Sequence, residues 1–267
     1  KDLSKSSEKE ILKLWEGLGY YRRARNLLKC SKLLVKNYNF KLPKTINEIK
    51  QLPGIGEYTG NALLGLVHDQ PTIAIDGNVK RIFSRLLNKE VKKVNFEKII
   101  LLNKSKLFKT NRNSDFVEGI MEFGALVCKP KNPNCVSCCL KKTCKYFKSS
   151  NKIKVSKKKM VKKKDYNIFC YINKSKQIAL TKKNQLGFLK NFNLPRIEET
   201  NCFVDTKNWK FLKKYKNSIS NLELNINLYY KFSDKIPSSY NWYSLENNKE
   251  FVPSFTKKVF RQVSTLF

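Results

Sequence analysis

Leu52-Pro53-Gly54-Ile55-Gly56-Glu57-Tyr58-Thr59 is the stretch on which the reading of this chain turns. Apolar residues at helical spacing lead into it at Ile46, Ile49 and Leu52, and others leave it at Ala62-Leu63-Leu64. One helix therefore runs into the glycines and a second starts from them. Pro53 fixes its own φ, and Gly54 and Gly56 reach conformations closed to other residues, so the connection is a tight hairpin. Such a hairpin turns backbone N–H groups outward at a helix start, where free amides and the helix dipole favour an anion. Gly-x-Gly by itself also fits an ordinary connection. The whole run between two helices favours a phosphate, with Gly54 and Gly56 as its contacts.

Charge names the phosphate's source. Lys+Arg 55 against Asp+Glu 21 gives 55 − 21 = +34 over 267 residues, with a pI near 9.9. Membranes, acidic proteins and nucleic acids all attract such a chain. No apolar run is long enough to span a bilayer and no signal peptide is expected, so nucleic acid leads. Lys and Asn are abundant everywhere, which a base-composition bias would also produce, so part of the excess is drift. The single His68 argues against a Ser-His-Asp hydrolase or a His-ligated metal, and its place before Asp69-Gln70-Pro71 is that of a helix end.

Working outward, residues 1–17 read as a helix with a capping box at Ser7-Glu8-Lys9-Glu10. Gly17-Leu18-Gly19-Tyr20-Tyr21-Arg22-Arg23-Ala24-Arg25 then forms a turn rich in glycine, aromatic rings and arginine, followed by a helix to about residue 36. Arg22 and Arg25 are candidate phosphate contacts. Tyr21 reads as core. Further helices are expected at 45–52, 58–68, 78–88, 95–108 and 114–127. Asp76-Gly77-Asn78-Val79-Lys80 opens one of them, which makes Asp76 an N-cap at least. Cys128-x6-Cys135-x2-Cys138-x5-Cys144 can wrap one tetrahedral ion or a cubane cluster, and spacing alone leaves zinc and iron–sulfur open. Cys139 is an extra thiol; Cys30, Cys170 and Cys202 read as small buried hydrophobes. Lys148 to Lys164 carries almost one sign of charge and reads as an exposed linker. Beyond Tyr166 the period changes to that of strands, at 167–172, 177–182, 223–232 and 242–244, with helices expected near 205–215 and 253–266.

The hairpin run resembles the helix-hairpin-helix of base-excision DNA glycosylases. The wider stretch from Leu14 to Cys144, with Leu14-Trp15-Glu16-Gly17-Leu18-Gly19-Tyr20-Tyr21 at its head, resembles the MutY family of adenine DNA glycosylases. The resemblance implies a mainly α helix-hairpin-helix glycosylase fold with a [4Fe-4S] loop over residues 1–147. A basic linker at 148–165 and an α+β Nudix-like domain at 166–267 would follow, the last resembling the family through Gln177 to Pro195 but without the acidic helix of Nudix hydrolases.

The same resemblance assigns roles. Asp76 would stabilise the sugar cation formed as adenine leaves, and Asn78 would help position it. Tyr58 occupies the slot where the sister endonuclease III enzymes hold a lysine. A phenol cannot form a Schiff base, so a monofunctional enzyme is expected. Tyr20 would wedge into the base stack, Lys80 would join the DNA contacts, and Cys128, Cys135, Cys138 and Cys144 would ligate the cluster. Ser220, in Asn217-Ser218-Ile219-Ser220-Asn221-Leu222, would read 8-oxoguanine, where the family more often shows Phe-Ser-His. The implied partner is double-stranded DNA with A:8-oxoguanine or A:G mispairs, met by a monomer in the cytoplasm at the nucleoid. The family's catalytic glutamate sits upstream in a Ser-Glu-x-Met-Leu-Gln-Gln-Thr context that does not occur here, so slow excision by these residues is expected. A non-catalytic lesion-binding remnant and an endonuclease III-like glycosylase/lyase are the alternatives. Gly60 replaces the more usual alanine and is expected to loosen its helix by up to about 1 kcal/mol.

Overall fold

The computed structural model describes all residues except 110, 154–160, 184–188, 191, 201–205, 220–221 and 247–249. The chain divides into two compact units. One holds Lys1–Lys5 and Lys29–Lys158, the other Ser6–Leu28 and Lys159–Phe267.

The first unit is helical. It holds α1 (Asp2–Lys5) and, after α2 (Glu8–Leu14) in the other unit, all but the first turns of α3 (Arg22–Tyr38). There follow α4 (Ile46–Ile49), α5 (Glu57–His68), α6 (Gly77–Leu87), a 3-10 turn at Val91–Lys93, α7 (Phe96–Leu102), α8 (Lys104–Leu107), α9 (Asn113–Leu126) and α10 (Lys145–Lys148). Side chains set the starts: Thr45 caps α4, Asp76 caps α6 and Asn95 caps α7, each accepting an amide of the first turn. Left-handed residues set two of the ends, Asp69 after α5 and Asn88 after α6. Ile73, Val79 and Phe83 form the core under α6, with Phe96, Ile99, Phe116 and Ile120 packed around them.

The helix expected over residues 1–17 is broken at Ser6, because Ser7 caps α2 in a complete capping box with Glu10. The one expected over 95–108 is divided at Asn103, which ends α7 and starts α8. Gly60 also has a packing consequence. A Cβ there would lie 2.7 Å from Ile46 Cδ1 and 3.3 Å from Ile49 Cγ2, so the missing methyl leaves room for the α4 side chains against α5.

The second unit is built on a mixed sheet: β1 (Lys162–Ile172), β2 (Gln177–Leu180), β3 (Arg196–Glu199), β4 (Lys210–Ile219), β5 (Leu222–Phe232) and β6 (Asn241–Ser244). β5 runs parallel to β1 over its whole length, from Lys162↔Leu222 to Ile172↔Phe232. β4 is antiparallel to β5, β3 to β1, and β2 to both β1 and β6. The central strands bury Ile168, Phe169 and Cys170 on one strand and Leu224, Ile226 and Leu228 on another. Helix α11 (Ser254–Val263) buries Phe255, Val259, Phe260 and Val263 at helical spacing.

Two sequence expectations change here. The segment expected as a helix near 205–215 is strand β4 from Lys210 onward. β3 was not foreseen. β1 begins at Lys162, so the end of the lysine run is strand. Among the described residues no helix is long and apolar enough to cross a membrane.

Candidate active site and DNA interface

The hairpin forms, but of its two glycines only Gly54 takes a backbone closed to other residues, while Gly56 is extended, which corrects the expectation for the pair. Ile49 and Leu52 are buried, the Ile55 amide donates to the Leu52 carbonyl at 3.1 Å, and Gly54 takes φ +83°. Gly56 caps α5 from extended backbone with no side-chain bond, and a Cβ there would meet nothing within 4 Å. The start of α5 is thus bare backbone facing open space. Glu57, in that first turn, is matched by Lys50 at 2.6 Å, which holds its carboxyl below the usual range.

Tyr58 is 44% exposed and its hydroxyl donates to Met121 Sδ at 3.8 Å. It lines a cleft of about 690 Å³ with Asn61, Ile75, Lys80, Lys92 and Lys93. Asp76 Oδ1 accepts the Val79 amide at 2.7 Å. Its second oxygen has no protein partner among the described residues, so the cap leaves half the carboxylate open.

Asn78 is held from two sides. Its Oδ1 accepts from Arg81 Nη2 at 2.8 Å, and Gly124 of α9 packs so closely that a Cβ would lie 2.6 Å from Asn78 Cβ. Arg81 also donates to the Cys128 carbonyl at 2.7 Å and to the Gly124 carbonyl. Burial pushes its pKa down and neighbouring Arg85 adds to that, while Cys128 and Asp76 oppose it. Arg85 donates to the carbonyls of Lys129 at 2.7 Å and Pro130 at 3.0 Å, and to Cys128 Sγ at 3.3 Å. Its guanidinium lies 5.3 Å from the Tyr146 ring centre. Sequence reasoning missed both arginines. Their signal was the i, i+4 spacing of two arginines on the face of α6 opposite its apolar residues Val79, Ile82 and Phe83.

The four spaced cysteines form no disulfide and are all half-buried. Cys138 is pushed up by burial, against the Leu140 amide, with Cys139, Cys128 and Cys135 adding their charge. Cys144 Sγ donates to the Arg85 carbonyl at 3.6 Å. Among the described residues no three Cys, His, Asp or Glu side chains gather as a single-ion site requires. Cys139 is exposed, Cys30 and Cys170 are buried as expected, and Cys202 lies outside the described residues. His68 ends α5 with Nε2 at 3.0 Å from the Pro43 carbonyl.

In the second unit, Gly17, Gly19 and Tyr20 all have positive φ, of 94°, 66° and 48°, and Trp15 Nε1 donates to the Gly19 carbonyl at 3.0 Å. That closed turn leaves Tyr20 67% exposed, with the Arg23 guanidinium 5.2 Å from its ring centre. Tyr21 is core: its hydroxyl accepts the Ser254 amide at 2.9 Å and its ring packs on Phe192 and Phe251. Arg25 donates to Glu8 at 2.7 Å and stacks 4.7 Å from the Phe192 ring centre. Arg22 is exposed without a protein partner among the described residues. The turn, together with Asn217, Ser218, Ile219 and Lys258, lines a cavity of about 710 Å³. Ser220 lies outside the described residues; β4 and β5 pair up to Ile219↔Leu222 beside it.

Over residues 1–102 the chain matches the family described as HhH-GPD superfamily base excision DNA repair protein. It is 33% identical to the adenine DNA glycosylase of Buchnera aphidicola subsp. Baizongia pistaciae over 264 residues, 92% of this chain and 75% of that protein. The adenine DNA glycosylase of Buchnera aphidicola subsp. Schizaphis graminum is 34% identical over 86% of this chain and 67% of its own length. The human adenine DNA glycosylase is 33% identical over 54% of this chain and 27% of its own. Among solved structures, a thermostable thymine-DNA glycosylase aligns at 27% identity with a TM-score of 0.49, covering 55% of this chain and 69% of that one. With a relative 33% identical of which this chain covers 75%, a capped aspartate at a helix start and a glycine hairpin before it, the chain belongs to the adenine DNA glycosylase family of the HhH-GPD base excision repair superfamily.

Proposed function

We propose that this chain hydrolyses the N-glycosidic bond of adenine paired with 8-oxoguanine or guanine in duplex DNA, leaving an abasic site and an uncut strand. The observation that carries the reading is Asp76: one carboxylate oxygen caps α6 and the other is open. As the adenine departs, positive charge builds on the deoxyribose, and a fixed carboxylate stabilises that charge more than it stabilises the neutral substrate. Water then completes hydrolysis. Asn78, tethered by Arg81, keeps the first turn of α6 in register. Tyr58 supplies no amine, so no Schiff base and no strand cleavage follow.

The bare amides at the start of α5, after Gly56, with Lys80 and Arg22, would take phosphates, the Ile55 amide after Gly54 being held by the Leu52 carbonyl, and Tyr20 would wedge into the stack from which adenine is flipped. Cys128, Cys135, Cys138 and Cys144 would hold a [4Fe-4S] cluster. The donor chemistry fits: four thiols free of disulfides within one loop, with Cys128 and Cys135 each within electrostatic reach of Cys138. Bound there, the cluster supplies a cross-link for the basic loop between Cys128 and Cys144. Ser220 would contact the lesion base. The protein would act as a monomer at the nucleoid.

The test is one incubation of an A:8-oxoguanine duplex, divided and treated with or without alkali. Strand breaks after alkali alone support the reading. Breaks without alkali would show a lyase, and binding with no breaks a non-catalytic binder.

A further inference from the structure

The cavity beside Tyr20 has a feature that none of the assigned roles uses. Lys258 of α11 donates to Asn217 Oδ1 at 2.7 Å, and the Ser218 amide donates to the same oxygen at 2.9 Å. Two donors on one oxygen fix which way the Asn217 amide points. Asn217 Nδ2 is thereby turned away from both and finds no acceptor among the described residues, although Asn217 is only 4% exposed. Lys258 has three donors and spends one on Asn217. Both groups line the cavity of about 710 Å³ that the Gly17–Tyr20 turn also lines. Its walls therefore offer hydrogen-bond donors, the charged ones being Lys258, Arg22, Arg25 and Lys190, over a mostly apolar surface lent by Tyr20, Tyr21, Phe192 and Phe255. That combination suits a flat ring carrying carbonyl oxygens.

We infer that Lys258, oriented by Asn217, is a specificity-determining residue that donates to O8 of the 8-oxoguanine opposite the excised adenine. The inference rests on the reading above that the lesion base is met in this unit. Guanine has C8–H at that position, so the bond to O8 exists for the damaged base alone. No covalent step is involved.

The experiment measures equilibrium binding of the full chain to duplexes in which 2′-fluoro-deoxyadenosine, which resists excision, faces 8-oxoguanine or guanine. The wild-type protein is expected to prefer 8-oxoguanine. Lys258→Met lowers that preference about tenfold, the size of one charge-assisted hydrogen bond, and Lys258→Arg restores most of it. Lys258 is exposed, so a circular-dichroism melt of each variant is expected to match the wild type. If Lys258→Met weakens both duplexes equally and lowers the salt slope by about one, Lys258 holds a phosphate and the inference fails. An unchanged preference overturns it too. A wild-type protein with no preference overturns the lesion-base reading and this inference together, and so marks the earlier failure from the later one.

Discussion

Gly124 offers the sharpest test of how α9 positions the candidate catalytic turn. A Cβ built there would lie 2.6 Å from Asn78 Cβ, 3.2 Å from its Cγ and 3.3 Å from its Cα. Carbon atoms rest at about 3.5 Å or more, so Gly124→Ala needs a retreat of roughly 0.9 Å. Because the Asn78 backbone is among the atoms met, a change of rotamer cannot supply it, and the start of α6 must move. That turn carries Asp76 two residues away, tied to it by the 2.7 Å bond from the Val79 amide. Overpacking of this kind costs about 1–3 kcal/mol. A catalytic group displaced by about 1 Å loses up to roughly 10²-fold in rate. The control is Gly65→Ala, whose Cβ would lie 2.6 Å from Val117 Cγ2, a side-chain atom on a contact that does not involve α6. Both variants should melt lower, by about 2–4 °C per kcal/mol. Single-turnover adenine release, measured well below both midpoints and relative to the parent chain, should fall about ten- to a hundredfold for Gly124→Ala and less than about threefold for Gly65→Ala. Equal rates for the two at equal folded fraction would refute the argument that α9 sets the position of Asp76.

Arg81→Met should cost about 3 kcal/mol in a urea titration, because it leaves the buried Gly124 carbonyl without a donor and the Cys128 carbonyl with only the 3.3 Å bond from Arg85. A loss below about 1 kcal/mol would mean water replaces the guanidinium. Asp76→Asn keeps an N-cap of equal quality and removes the charge, so melting should hold while adenine release falls by about 10² or more; Asp76→Ala should lose both. Tyr58→Lys places an amine at the lip of the cleft and should bring strand breaks that need no alkali, read on a denaturing gel. Burial opposes the charged form of Glu16, but the Val252 amide, Lys257 and Lys13 outweigh it and lower its pKa below the ordinary 4.5. Its contribution is therefore present above that value and lost as pH falls through the folded one, and Glu16→Gln should flatten the acid limb of the urea midpoint against pH.

The helices were legible where chemistry and periodicity agree. Ser7, Thr45, Asp76 and Asn95 each cap as their residue types foretell. β4 was not legible, and its surroundings explain why. Among the described residues it is an edge strand paired to β5 alone, with a register shift between Phe211 and Lys213. Its lysines stand at both parities, as edge strands allow, so no alternation survives to be read. Gly60 was legible in part. Propensity marks it as a weak helix residue, and the approach of Ile46 and Ile49 to it is a tertiary fact no window of sequence contains.

The arginines carry a signal that the total charge hid. The sequence holds 8 Arg among its 55 basic residues, hence 55 − 8 = 47 Lys. Where drift fills a surface with cations, it has filled this one with lysine, so an arginine marks a place where a planar fork is needed. Arg81 and Arg85 fork onto the backbone carbonyls around Cys128, and Arg85 also stacks on Tyr146. Arg25 lies over Phe192, Arg196 over Phe169, and Arg23 over Tyr20 and Trp15. Arg112 pairs with Asp115. Arg22 and Arg261 have no protein partner among the described residues, and only Arg22 lines the cavity beside the exposed Tyr20 ring. A guanidinium with its fork free, next to an aromatic ring held out by three positive-φ residues, has its geometry prepared for a ligand with paired oxygens. Under the proposed function that ligand is the backbone phosphate flanking the wedged step, which makes Arg22, and not the ion-paired Arg25, the arginine of this turn that would meet DNA.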